Sequence, residues 1–304
     1  DYNVPPFATP GTNESRITVL LTGVDKNQER SHSLTDTILV VSVDPVSQDM
    51  VMVSFPRDIA QFPLYSGGTF NGKINSLMTS AANNPTKYPD GPLPTLAKEV
   101  GYLLGIPINY FAAVDLDGFQ KMISAVGGVT VHVDRAIADP KYDWLDGSDL
   151  GFYLPAGDQH LNARNALAYV RSRYGAGDND FTRAARQQQL LLALRGKMTD
   201  PANLGKLPAL LDAAAETVRT NFPPDRLDEM IGLAEKIGDG SIERYVLQPP
   251  TYSVHPPTAT TFGTYILRLK LNALRALSVQ LFGDDSAFWS GSFDPSGSPI
   301  PKPS

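Results

Sequence analysis

Residues 37–55 read TILVVSVDPVSQDMVMVSF, two β-branched apolar runs (37–43 and 50–55) joined by a short polar link that contains Pro45. Runs of this length and composition suit strands buried on both faces. A short Pro-containing link between them reads as a hairpin, so the two strands are expected to be antiparallel. Upstream, residues 16–24 (RITVLLTGV) form a third run of the same kind, set off by a polar loop of about a dozen residues.

This order makes a prediction about chemistry. If strand one pairs antiparallel with strand two, the end of the first, the start of the second and the end of the third share one sheet edge. Asp25 follows strand one, Asp36 precedes strand two, and Arg57 and Asp58 follow strand three. Two readings fit these residues: an anion or metal site, or charges that cap strand ends with Arg57 paired to a carboxylate.

Beyond residue 60 the pattern alternates. Helices are expected at 93–104, 116–126, 162–170, 181–198, 201–219, 225–237 and 265–282, and strands at 110–114, 129–133 and 245–247. The predicted fold is a single α/β domain over residues 16–282, a mixed central sheet flanked by helices, with 200–282 mainly helical. Residues 1–15, rich in Pro, Thr, Gly and Asn, read as a linker, and 283–304, rich in Gly, Ser and Pro, as a flexible tail.

Composition narrows the function. A net charge of −6 disfavours nucleic acid as a partner, and no helix-turn-helix signal offsets that. There is no cysteine, which removes disulfides, thiolate nucleophiles and thiolate-bound zinc. His32, His132, His160 and His255 are scattered without metal-ligand spacing. No apolar stretch is long enough to span a bilayer.

Any anion site must therefore be a local gathering of basic residues. Arg171 and Arg173 stand two apart in AYVRSRY (168–174); in an extended chain both point the same way, each able to bind phosphate bidentately. A solvated basic edge explains R-x-R alone equally well. The helix expected at 181 adds weight, with Asp180 or Thr182 as N-cap and Arg183 and Arg186 in or near its first turn. Cations there oppose the helix dipole unless a bound anion neutralises them. Arg183, Gln187, Leu190 and Leu194 share one face, running from an anion-binding end into an apolar stripe.

One motif is set aside. Residues 67–73 (GGTFNGK) match G-x-x-x-x-G-K, but Ile74 stands where a phosphate loop needs Ser or Thr, and strand three ends well upstream. Lys73 remains available to phosphate as a point charge. Trp144, Tyr142 and Tyr153 suit either sugar stacking or loop anchoring, and His132 and His160 suit packing or hydrogen bonding.

In order along the chain, LTGVD (21–25), TDT (35–37), SFPRD (54–58), GKIN (72–75), LGIPINY (104–110), DGF (117–119), VGGV (126–129), LN (161–162), ALAYVRSR (166–173), DFTR (180–183) and RQQ (186–188) resemble the LytR–CpsA–Psr family. The resemblance implies an α/β domain enclosing a hydrophobic tunnel for a polyprenyl chain. It implies a membrane-anchored, extracytoplasmic bacterial enzyme, the anchor lying outside this chain. Its partners would be a polyprenyl diphosphate-linked glycan, such as a teichoic acid or capsule precursor, and a peptidoglycan acceptor. Asp25 and Asp36 match the carboxylates associated with magnesium (or manganese), and Arg57, Lys73, Arg171, Arg173, Arg183 and Gln187 match the diphosphate-binding set. Asp25, Asp36 and Arg57 are thus the expected catalytic residues of a phosphotransferase. A polyprenyl diphosphate hydrolase or a non-catalytic polyprenyl phosphate binder are the alternatives. The chain departs from the pattern at Leu34, where many members carry Arg.

Overall fold

The computed structural model describes residues 16–24, 34–148, 150–257, 261, 263–283, 289–293 and 299–301. The chain divides into two compact units. The first comprises residues up to 113, 220–223 and 237 onward; the second comprises 114–219 and 224–236.

The first unit is built on β1 (Ile17–Val24), β2 (Thr35–Val43) and β3 (Met50–Ser54), an antiparallel meander. β12 (Ile242–Val246) adds parallel to β3, which makes the sheet mixed, as expected. With β6 (Tyr110–Asp115) and β11 (Val218–Thr220), the order is β11-β6-β1-β2-β3-β12. β3 and the run from Ile38 to Val43 are buried residue by residue. Cover on both faces is why these strands read as continuous apolar runs instead of alternating. Each fully buried side chain such as Val40, Met52 or Val53 contributes roughly 1.5–3 kcal/mol.

A hairpin of β4 (Ala60–Pro63) and β5 (Thr69–Lys73) follows the sheet, then the helices α1 (Leu77–Asn83) and α2 (Pro92–Leu104). Pro92 suits the first turn of α2, and Gly105, at φ 72°, ends it in the left-handed conformation that favours glycine. The helix expected from 265 starts only at Leu271 (α8, Leu271–Phe282). The residues before it are drawn into extended pairing: Leu267 bridges Ile59, and β14 (Arg268–Leu269) pairs with β13 (Ser253–Val254). In the C-terminal stretch, β15 (Trp289–Phe293) pairs with β16 (Pro299–Pro301).

The second unit runs α3 (Leu116–Ala125), β7 (Val129–Val133), β8 (Ile137–Asp143), β9 (Leu150–Leu154), β10 (Gly157–Leu161), α4 (Ala163–Arg171), α5 (Asp180–Thr199), α6 (Leu207–Thr217) and α7 (Leu227–Lys236). Its core gathers Ile123, Val129, Val131, Leu161, Leu167 and Tyr169. α3 and α6 approach closely because Gly118 has no side chain: a Cβ there would lie 2.5 Å from Thr217 Cβ. The helix expected over 201–219 is instead a 3-10 turn (Pro201–Lys206), α6 and β11. Pro201, Gly205 and Pro208 interrupt its start, and the β-branched Val218 and Thr220 favour a strand at its end.

Candidate functional site

In the first unit, strand register places the charges. Val24 pairs with Thr35 and Leu39 with Ser54, so the start of β2 and the end of β3 lie on one edge. There Arg57 Nη1 donates to Asp36 Oδ1 at 2.9 Å, and Arg57 Nε lies 3.8 Å from Asp58 Oδ2. Lys73 Nζ donates to Asp58 Oδ1 at 2.5 Å. The backbone beneath is tied down: Leu267 N donates to Asp58 O at 2.9 Å and Asn75 N to Arg57 O at 3.4 Å. Asp36, Arg57, Asp58 and Lys73 thus form one cluster, while Asp25 lies outside the described residues.

The phosphate-loop resemblance at 67–73 dissolves on inspection. Gly67 and Gly68, both at positive φ, turn a β-hairpin, and Lys73 ends its second strand. These residues form no strand-loop-helix that could cradle a nucleotide.

The second unit holds the other basic residues, by a route the sequence did not announce. Arg171 and Arg173 do not share a strand. Arg171 is the last residue of α4, and Ser172 leaves the helix at φ −58°, ψ 139°. Arg171 Nη1 lies 3.5 Å from the Tyr142 hydroxyl. Arg173 Nη1 and Arg183 Nη2 approach the same atom, Asp180 Oδ1, at 3.7 and 3.3 Å. Gln187 Nε2 donates to Val170 O at 3.2 Å, so this amide also caps the end of α4.

The helix start also differs from expectation. The N-cap is Asn179, whose side chain accepts from Phe181 N and Thr182 N, while Thr182 Oγ1 accepts from Asn179 N in a capping box. Arg183 and Arg186 are buried. Asp180 in the first turn supplies the negative charge the dipole favours, so the arginines are partly compensated from within. Arg186 Nη2 donates to Ser172 O at 2.7 Å and lies 3.5 Å from Asp178 Oδ2; burial pushes its pKa down.

The aromatic platform is mostly core. Tyr142, Trp144 and Phe152 pack against one another with centroids 5.0–5.9 Å apart, and Trp144 Nε1 donates to Gly151 O at 2.9 Å. Of the three aromatics considered for sugar stacking, only Tyr153 is exposed. His132 Nδ1 pairs with Asp158 Oδ1 at 2.6 Å on the surface, and His160 Nδ1 lies 3.4 Å from Thr130 Oγ1.

The LytR_cpsA_psr family model matches residues 4–269, most of the chain and both clusters. The chain belongs to the LytR–CpsA–Psr family. Among its relatives is the polyisoprenyl-teichoic acid–peptidoglycan teichoic acid transferase TagV of Bacillus subtilis (strain 168), 32% identical over 208 residues, 66% of this chain and 47% of TagV. The regulatory protein MsrR of Staphylococcus aureus (strain COL) is 33% identical over 226 residues, 73% of this chain and 62% of MsrR. The chain therefore spans about half to two thirds of the length of these relatives. The crystal structure of B. subtilis TagV superposes with a TM-score of 0.68 at 26% identity, covering 88% of this chain and 95% of that one. A structure of TagT bound to LI-WTA shares the fold, with a TM-score of 0.62 at 21% identity over 88% of this chain and 89% of that one.

A family metal can be tested against the donors present. Among the described residues no group of three or more His, Asp or Glu side chains is placed to hold an ion. Magnesium, however, commonly takes only one or two carboxylates and completes its shell with water and substrate phosphate. Asp36 fits that mode: Oδ1 is engaged by Arg57, and Oδ2 makes no hydrogen bond among the described residues.

Proposed function

We propose that this protein moves a glycopolymer from a polyprenyl diphosphate carrier to peptidoglycan by phosphoryl transfer, releasing polyprenyl phosphate. The observation that carries this reading is the sharing of one oxygen, Asp180 Oδ1, by two guanidiniums, Arg173 and Arg183. Two guanidiniums are thereby brought to one point, a geometry that suits recognition of phosphate oxygens. The name of TagV, a transferase of polyisoprenyl-linked teichoic acid, supports the same chemistry.

In this reading Arg171, Arg173 and Arg183 grip the diphosphate and Gln187 steadies the end of α4. A hydroxyl of the acceptor sugar attacks the phosphorus that bears the glycan. The new phosphorus–oxygen bond forms as the bond to the bridging oxygen breaks, and polyprenyl phosphate takes the electron pair. The hydroxyl proton would pass to one of the two aspartates of the family's pattern, Asp36 or Asp25. Arg57 and Lys73 stabilise charge as it develops on the phosphates, the dominant need in phosphoryl transfer.

The edge cluster also argues for a divalent ion. Arg57 and Lys73 are paired with Asp36 and Asp58, which reduces the net positive charge the cluster offers a diphosphate. Asp36 and Asp25 would hold magnesium or manganese, which would supply positive charge for the phosphates. A hydrophobic tunnel within the domain would hold the lipid, each buried CH₂ contributing about 0.8 kcal/mol. We place the protein outside the cytoplasm, anchored at the membrane where donor and wall meet.

The test is incubation with a polyprenyl diphosphate-linked glycan, peptidoglycan and magnesium. Glycan linked to the wall through a phosphodiester is the expected product. Free phosphorylated glycan alone would mean hydrolysis, and unchanged donor would mean a binding protein.

A further inference from the structure

Asp139 lies on β8 and is 1% exposed, yet its carboxylate touches no edge of the proposed reaction. One oxygen, Oδ2, accepts from Ser172 Oγ at 2.8 Å, Arg173 N at 3.0 Å and Tyr174 N at 3.1 Å. The other, Oδ1, accepts from Lys141 N at 3.1 Å. A carboxylate suits this place because it only accepts, with lone pairs enough for several donors.

These bonds fall on the segment that carries the arginine pair. α4 has ended at Arg171, so residues 172–174 have no helix or strand of their own to fix them. Asp139 takes their amide and hydroxyl donors. From the other side α5 takes carbonyls of the same stretch, Arg186 holding Ser172 O and Gln187 holding Val170 O. An irregular stretch would otherwise sample many conformations. Here both sides of its backbone are pinned, and the pins are largely buried.

We propose that Asp139 is a positioning residue that sets the spacing of Arg171 and Arg173, and through it the preference for a diphosphate over a single phosphate. This rests on the reading of that pair as a diphosphate grip. Asp139 acts through the backbone of residues 172–174 and does not itself touch substrate.

The test compares the affinity of the protein for farnesyl diphosphate and farnesyl phosphate, with thermal stability measured in parallel. The unaltered protein prefers the diphosphate. In Asp139→Asn the one remaining acceptor oxygen is neutral, so even where it faces Ser172 Oγ, Arg173 N and Tyr174 N the charge-assisted bonds to them are lost and the segment loosens. The ratio of the two affinities then falls about tenfold, the size of one lost charge-assisted hydrogen bond. Ser172→Ala removes only one donor and lowers the ratio about threefold by the same scale, which keeps the test alive if Asp139→Asn does not fold. Leu167→Ala, in the core of the same unit, serves as control: it lowers the melting temperature and leaves the ratio unchanged. A ratio unaltered in Asp139→Asn, or in Ser172→Ala where the first variant is unfolded, overturns the role of Asp139. Equal affinity of the unaltered protein for both lipids overturns the diphosphate reading itself.

Discussion

The sheet-edge cluster and the arginine cluster solve the same problem, holding cations in place, by opposite means. At the edge, Asp36, Arg57 and Asp58 sit where strand ends deliver them, and their charges balance with Lys73. In the second unit, Arg171, Arg173 and Arg183 hang on a helix end, a loop and a helix start, the last two sharing the Asp180 carboxylate. The first is placed by regular backbone and is partly solvated. The second is placed by buried side chains, Asp139 and Arg186. Paired acids and bases suit stabilising charge during a reaction; gathered guanidiniums suit binding an anion.

The largest effects should separate these two roles. Arg57→Ala leaves Asp36 and Asp58 with Lys73 against them, so the proposed transfer should fall about 10²–10³-fold, mainly in kcat. Arg173→Ala leaves Asp180 paired with Arg183 and should act chiefly on KM. Steady-state kinetics with the lipid-linked donor decides the matter, and the same kcat-to-KM split in both variants would erase the distinction.

The same contrast explains what can be read from sequence. The edge cluster is legible because strand pairing is a rule: once residues 16–24, 37–43 and 50–55 are strands, Asp36, Arg57 and Asp58 must converge. Arg171 and Arg173 stand out in the sequence as a pair, but for a geometry, an extended strand, that the chain does not adopt. Asp139 is invisible there because β8 contains Pro140 and exposed polar or charged positions, which reads as loop. Its four partners lie two to 35 residues away and are mostly backbone amides, which no side-chain pattern reveals. Asp178 and Asp180 look like helix-start acids; that they also compensate Arg186 and Arg183 emerges only in three dimensions.

Stability should follow burial. Arg186→Met removes the donor to Ser172 O and one of the partners of Asp178, both inside the second unit, and should cost about 3 kcal/mol. Lys73→Met breaks a pair whose lysine side chain is 30% exposed, and solvent screening should hold its cost within about 1 kcal/mol. Urea midpoints of the two variants provide the comparison. Equal losses would mean that the edge cluster is as structural as the arginine cluster.

The first unit carries a pH dependence of its own. Burial pushes the Glu99 carboxyl up to about 7, against the Tyr65 amide at 2.8 Å and the charges of Lys98 and Lys87, which act the other way. An acid with a raised folded pKa holds its proton more tightly folded than unfolded. Its contribution is therefore complete below about pH 4.5 and is lost as pH rises to about 7, about 3 kcal/mol in all. Glu99→Gln should flatten the melting temperature across that window, whereas a slope unchanged from the parent protein would assign the dependence elsewhere.

The smallest effect probes the charge balance at the edge. Leu34, 39% exposed and two residues before Asp36, is where the chain departs from the family resemblance. Leu34→Arg adds a cation beside a cluster whose two acids and two bases already match. At an exposed site the change in stability should stay within about 0.5 kcal/mol. On the proposed metal reading, half-maximal transfer should need about twofold more magnesium, because the introduced guanidinium would compete for the second oxygen of Asp36. A magnesium titration of transfer at fixed ionic strength reads this directly. A lower requirement would instead show that the new cation replaces part of the charge proposed for the metal, and that the edge cluster can bind diphosphate through side chains alone.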